Sequence, residues 1–236
     1  MLIKGLQKLT LLDYPDKLAC TVFTGGCNFR CPFCHNASLV LPKEPLETIP
    51  TEEFLAFLDS RVGRLEGVCV SGGEPTLMPD LVEFIREIKK RGFLVKLDTN
   101  GSHPHVIRAL IDEGLIDYVA MDIKNSPERY GETIGYGTEL NVEESNLMQR
   151  IKESVALLMQ GRVDYEFRTT VMAEFHGIDE MRAIGQWLSG AKKYFLQNYR
   201  PEGDLLVGGF TSLTPEELGA LLSELVKYIP DAEIRG

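Results

Sequence analysis

Three things are scarce in this chain of 236 residues, and each scarcity excludes a class of protein. Long apolar runs are missing: the longest aliphatic stretch is Val155 to Met159, far short of the roughly 20 residues that span a bilayer. The opening MLIKGLQKLTLLDYPD is broken by Gln7, Lys8, Asp13 and Asp16, so it holds no signal-peptide core, and a cytoplasmic protein is expected. Cations are in deficit, with 25 Lys+Arg against 35 Asp+Glu for a net charge of −10, which argues against nucleic acid as a general partner. Repeats, low-complexity tracts and linkers are absent. The 44% of apolar residues suffice for a buried core in one large domain or two small ones.

What is present begins with five cysteines, three of them within eight residues: Cys27, Cys31 and Cys34. A disulfide scaffold wants an even number in a short secreted chain, so clustered thiols here point to metal or redox chemistry. Cys20 and Cys69 sit inside apolar strand patterns and read as core.

Strands are expected at residues 19–24, 67–71, 94–98, 118–122, 165–171 and 194–198, each short and mostly apolar, as in a parallel sheet covered on both faces. Helical patterns separate them. Thr51 is expected to cap one, Pro79–Arg91 and Pro104–Glu113 to end at Gly92 and Gly114, and Thr214 to open the last with a capping box. The prolines of residues 42–50 make a loop. Strand–helix alternation gives an α/β fold with right-handed crossovers; six strands suit an incomplete barrel or an open sheet.

Cys27-Asn-Phe-Arg-Cys31-Pro-Phe-Cys34 follows the first of these strands through Gly25-Gly26, at a strand's C-terminal end, where α/β folds place their sites. Three thiolates can bind three corners of a four-iron cube and leave the fourth iron open. The alternatives are structural zinc completed by His35, or unliganded buried thiols; adjacent Cys34 and His35 converge poorly on one small ion. Further strand ends carry Ser71-Gly72-Gly73-Glu74-Pro75, Asp98-Thr99-Asn100-Gly101 and Asp122-Ile123-Lys124. Each alone is compatible with a plain turn. Arg168 in an apolar strand needs an anionic partner, which a ligand carboxylate, Glu166 or Asp122 could supply.

The C-x₃-C-x₂-C spacing, with Phe33 before the last cysteine, resembles the signature of the radical S-adenosylmethionine (SAM) superfamily. That resemblance implies an incomplete (β/α)₆ TIM-like barrel with mostly parallel strands. It implies a [4Fe-4S] cluster on Cys27, Cys31 and Cys34, SAM on the open iron, and Phe33 by the adenine. Ser71-Gly72-Gly73-Glu74-Pro75 resembles the superfamily's GGEP motif, which implies that Gly72, Gly73 and Glu74 meet the amino group of SAM; Asp98-Thr99-Asn100-Gly101 and Asp122-Ile123-Lys124 resemble motifs of glycyl-radical-enzyme activases, which implies that Asp98, Asn100, Asp122 and Lys124 hold its ribose and methionine ends. Arg168 is expected at the SAM carboxylate and His176 near SAM. A monovalent cation between Asp98 and Asp122 would relieve their repulsion.

Residues 5–15, Cys34-His35-Asn36 and Gln197-Asn198-Tyr199-Arg200-Pro201 narrow the likeness to glycyl-radical-enzyme activases, most of all those of anaerobic ribonucleoside-triphosphate reductase. Asp16 stands where such activases commonly have Gly. The implied reaction is reductive cleavage of SAM, fed by a low-potential donor such as flavodoxin or ferredoxin. The resulting 5′-deoxyadenosyl radical would take a hydrogen atom from a glycine of the partner enzyme. One domain over 1–236 is expected, with a core at about 17–200, an N-terminal extension 1–16 and a C-terminal helical segment 201–236. The rival functions are a superfamily enzyme with a small-molecule substrate, such as a deazaguanine synthase, and a non-catalytic iron–sulfur or zinc module.

Overall fold

The computed structural model describes residues 1–136 and 146–235. Among them, eight strands form one sheet: β1 Ile3–Thr10, β2 Ala19–Thr24, β3 Gly67–Gly72, β4 Leu94–Thr99, β5 Tyr118–Asp122, β6 Asp164–Val171, β7 Tyr194–Asn198 and β8 Ala232–Ile234. They lie in sequence order; β1 runs antiparallel to β2 and every other pairing is parallel. β1 and β8 are the two edges, so the barrel is not closed.

The six expected strands are the six central ones, each within a residue at either end. β1 and β8 escaped notice for different reasons. β1 has three successive exposed residues, Gln7, Lys8 and Leu9, so its alternation is broken, and β8 is only three residues long. The segment expected to be an extension, 1–16, thus contributes a strand. The segment expected to be helical, 201–236, holds α8 Pro215–Leu225 between a loop and β8.

The remaining helices are α1 Ala37–Val40, α2 Thr51–Asp59, α3 Leu81–Lys90, α4 Pro104–Asp112, α5 Tyr130–Thr133, α6 Leu147–Met159 and α7 Ile178–Trp187. Thr214 closes its capping box with Glu217 as expected, the hydroxyl accepting from the Glu217 N–H at 3.2 Å. Thr51 does not cap: it is the first helical residue, behind Pro50, and no side chain caps that helix. Apolar residues of α3, α4 and α6, such as Ile85, Leu110 and Ile151, share one core with Val68, Val70, Val95, Leu97, Val119 and Met121 of the sheet.

The two-residue period of a strand sends the alternate side chains to the opposite, concave face. Register then sets the residues of that face side by side: Thr21 opposite Cys69, Cys69 opposite Lys96, Asp98 opposite the small Ala120, Asp122 opposite Arg168. At the strands' N-terminal end, Tyr14, Ala19 and Tyr118 form a small apolar cluster that closes the base.

Asp16, after Pro15, is the one non-glycine with positive φ among the described residues, at 59°. The left-handed region costs a residue with a Cβ about 1–2 kcal/mol, which a glycine there would not carry, and Asp is among the side chains that tolerate it best. No helix among the described residues is long and apolar enough to cross a membrane.

Candidate active site

The C-terminal strand ends surround a cavity of ≈ 490 Å³. Its lining holds Cys27, Cys31 and Cys34 together, facing Asp98, Asp122, Lys124 and Arg168. All five cysteines are free, and Cys20 and Cys69 are fully buried in the sheet away from the trio, as expected of core thiols. Burial pushes the Cys27 thiol up to about 11 and Cys31 up to about 12, with the Lys124 charge pulling both back. A metal that bonds the thiolates offsets this cost of ionising buried sulfur.

The cysteine loop is tied to its neighbours by backbone. Gly73 N–H donates to Thr24 O at 3.0 Å and Glu74 N–H to Gly26 O at 2.8 Å. A Cβ on Gly73 would stand 1.9 Å from Gly26 O, so only glycine lets the two turns meet. Asn36 Nδ2 donates to Gly72 O at 3.1 Å from the loop's far end.

Glu74 is not at the cavity surface. It is fully buried, and Oε1 accepts from the Thr76 N–H at 3.0 Å and the Thr99 hydroxyl at 2.8 Å, while Oε2 accepts from the Asn100 N–H at 2.6 Å. Burial raises its carboxyl, and these donors partly restore it. Its carboxylate therefore splints the β3 and β4 ends, whereas Gly72 and Gly73 do line the cavity. Asn100 lines it too, but Nδ2 donates to Asn28 Oδ1 at 2.9 Å and lies 3.9 Å from Cys27 Sγ. Phe33 lines the cavity and packs on Phe175 and Phe210 at ring distances of 6.0 and 6.5 Å.

The charged residues form one chain across the cavity wall. Arg168 Nε lies 2.9 Å from Asp122 Oδ1, and Nη2 lies 3.6 Å from Asp98 Oδ2. Lys124 Nζ pairs with Asp122 Oδ2 at 2.9 Å, and Lys96, buried on β4, pairs with Asp98. Burial alone would raise the Asp122 carboxyl; Arg168 and then Lys124 outweigh it and hold the group well below the carboxylate range. Burial likewise opposes the charge on Lys124, but Asp122 beside it keeps the amine firmly protonated.

Three expectations meet the structure here, those for Arg168, for a monovalent cation and for His176. Arg168 finds its anionic partners in Asp122 and Asp98, the protein alternative for this side chain, while still facing the cavity. The guanidinium between those carboxylates also offsets part of the repulsion for which a monovalent cation was expected, while Asp122 still acts on Asp98. His176 does not line the cavity, and it is buried. Met172 N–H donates to its Nδ1 at 3.3 Å, so Nε2 carries the proton and donates to Lys124 O at 2.9 Å. Burial lowers its pKa to about 4, so the ring is neutral.

The lining also includes residues to which the sequence assigns no site role, among them Asp13, Ser71, Thr170 and Gln197. Asp13 accepts from the Thr21 hydroxyl, and the Ser71 hydroxyl donates to Asp98 Oδ2 at 3.1 Å. Lys96, missed as well, could have been found by the rule that drew attention to Arg168: a cation in an apolar strand needs an anion.

Fold and site together define an open-barrel α/β protein with a three-thiol loop over a charged cavity. Comparison with known proteins makes this specific. The family model of the Radical SAM superfamily matches residues 21–170, and the chain belongs to that superfamily. It is 33% identical, over 99% of its length and 95% of the relative's, to the Methanocaldococcus jannaschii protein named "Putative glycyl-radical enzyme activating enzyme MJ1227". It is 34% identical over 106 residues to the pyruvate formate-lyase-activating enzyme of Staphylococcus aureus (strain USA300), which covers 42% of this chain and 41% of that one.

Among solved structures, Streptococcus suis SuiB bound to S-adenosylmethionine superposes with a TM-score of 0.68 at 13% identity, over 89% of this chain and 48% of that one. Native anSMEcpe with bound AdoMet and Cp18Cys peptide gives 0.63 at 15% identity, over 88% and 58%. The chain thus spans about half the length of these solved structures. The superfamily uses a [4Fe-4S] cluster and SAM.

The residues present fit these groups. No set of three His, Cys, Asp or Glu among the described residues closes on a single ion, whereas a cube takes each thiolate on a different iron. The cavity beside the thiols offers both cations and carboxylates to a zwitterion such as SAM.

Proposed function

We propose that this chain is a radical SAM activating enzyme that generates a glycyl radical on a partner, and that the partner is an anaerobic ribonucleoside-triphosphate reductase. The likeness to a named activating enzyme, over 99% of this chain, carries the activase reading. The reductase rests on the residues quoted from 5–15, 34–36 and 197–201.

Cys27, Cys31 and Cys34 hold the cluster in this reading. Bound there, cluster and SAM supply one-electron cleavage of the sulfonium C–S bond and removal of a hydrogen atom from the substrate carbon. The chain's own residues bind, align and exclude. Phe33, backed by Phe175 and Phe210, gives the adenine an apolar face. Backbone groups of Gly72 and Gly73 meet the amino group of SAM, and Glu74 acts indirectly by fixing that turn and Asn100. Asp98, Asn100 and Asp122 receive the ribose and the ammonium. Lys124 and Arg168 offer cationic surface to the carboxylate while held by Asp122. His176 acts at one remove, bracing the Lys124 carbonyl.

Residues 1–236 act as one domain in this reading, with the core at about 17–200. The buried thiols need a reducing compartment, which the cytoplasm provides. A low-potential donor of the flavodoxin or ferredoxin kind reduces the cluster. The partner's glycine loop enters through the open side of the sheet.

The test is anaerobic reconstitution with iron and sulfide, then dithionite and SAM. Formation of 5′-deoxyadenosine is expected, and its absence sinks the enzyme reading. Mixing with the reductase should give a glycyl-radical doublet by electron spin resonance. A doublet obtained with another glycyl-radical enzyme and never with the reductase would keep the activase and discard the named partner.

A further inference from the structure

The concave face holds one more buried carboxylate, and the mechanism above leaves it unused. Glu166 on β6 is fully buried, and its neutral donor is the Tyr118 hydroxyl at 2.8 Å. Its cation comes from beyond β8. Arg235 Nη1 donates to Glu166 Oε1 at 2.6 Å and Nη2 to Oε2 at 2.9 Å, a two-point grip on both oxygens. The guanidinium also stacks on the Phe195 ring, 3.4 Å from its centroid, and the Arg235 N–H donates to Leu196 O at 2.9 Å. β8 itself is three residues long and pairs with β7.

Glu166 stands two residues before Arg168 on the same strand, so both side chains leave the same face. The Glu166 charge acts on the Arg168 guanidinium together with those of Asp122 and Asp98. Three carboxylates therefore compete for Arg168, and Arg235 satisfies one of them.

We propose that Arg235 is a positioning residue. By occupying both oxygens of Glu166 it leaves Arg168 to bridge Asp122 and Asp98, and so keeps the cavity wall in the arrangement that receives SAM. Without Arg235, buried Glu166 keeps the Tyr118 hydroxyl, a neutral donor, and Arg168, on which its charge already acts from the same face of β6, is a cation that can answer it. A pull on Arg168 toward Glu166 loosens Asp122, and Lys124 with it. The inference rests on the reading that this cavity binds SAM.

Equilibrium dialysis of labelled SAM against the cluster-loaded, full-length protein tests it, with thermal unfolding measured alongside. R235Q should weaken SAM binding about tenfold, a change of about 1.4 kcal/mol that is a fraction of the cost of stranding a buried charge. R235K, which restores a cation, and E166Q/R235Q, which removes the stranded charge, should both return to within about threefold of the original protein. A role confined to anchoring β8 would lower the unfolding temperature of both R235Q and E166Q/R235Q and leave SAM affinity alone. Unchanged affinity in R235Q overturns the proposal. So does a double variant that stays tenfold weak, and that comparison holds where R235Q is too unstable to purify. If the unsubstituted, cluster-loaded protein fails to bind SAM, the cavity reading fails instead.

Discussion

Two sets of carboxylates stand at the same mouth and find their partners by opposite means. At the Gly72–Glu74 turn, Glu74 is surrounded by neutral donors: two backbone N–H groups and two hydroxyls from Thr76, Thr99 and Asn100. At the ends of β4, β5 and β6, Asp98 and Asp122 are surrounded by cations: Lys96, Lys124 and Arg168. Neutral donors on the backbone make a fixed splint, since each bond also holds a turn in place. Side-chain cations make a charge network that keeps an open side toward the cavity, where a ligand's own charges can join it. The difference teaches that the Glu of the two-glycine turn shapes the site, whereas the strand-end aspartates take part in its electrostatics.

The largest expected effect calibrates both regions against the thiols. Cys31→Ser should lower bound iron from about four per chain to well below that and bring 5′-deoxyadenosine formation under detection, by iron assay and chromatography. Retention of a full cluster would mean that neither carboxylate set surrounds the reacting centre.

Asp122→Asn separates the two regions most sharply. It leaves Arg168 and Lys124 facing each other without their shared anion, a loss of about 3–5 kcal/mol in stability for a buried pair, toward the lower end because the pair opens on the cavity. SAM affinity should fall with it. Chemical denaturation and dialysis measure the two effects.

A splint beyond the charge network gives the next effect. His176 has an ordinary pKa near 6.5 when unfolded and about 4 when folded, so the unfolded chain takes up a proton first as the pH drops. Its contribution is therefore whole above pH about 6.5, is lost as the pH falls toward about 4, and amounts to about 3 kcal/mol. Denaturation at several pH values, repeated with His176→Gln, should show that slope disappear.

Glu74→Gln should cost less, about 1–3 kcal/mol in stability, since Gln keeps one acceptor oxygen for the same donors. Its effect on SAM affinity should be smaller than that of Asp122→Asn. Equal effects would break the contrast between splint and network. Smallest of all, Asp16→Gly should stabilise the protein by about 0.5–1 kcal/mol by relieving a positive φ, read as a rise in unfolding temperature.

How much of this was legible in advance divides along the same line. The cysteine loop, the two-glycine turn and the strand-end Asp residues could be read because each is local. A run of β-branched residues followed by Gly, Asp or Asn marks the end of a buried parallel strand, and parallel strands put all such ends on one side. Edges were less legible: β1 lacks clean alternation and β8 is too short to show a period.

The amino-acid order alone determined that three thiols, two glycines and several charged side chains would gather at one mouth of an open barrel. Only the tertiary structure decided which charges hold which: that Arg168 answers Asp122 and Asp98, that Glu74 turns inward to backbone donors, that His176 is buried and neutral, and that Arg235 reaches Glu166. The physical reason is range. Strand and turn preferences are settled within a few residues, whereas an ion pair between residues 69 positions apart depends on sheet register and on how deeply each group is withdrawn from water.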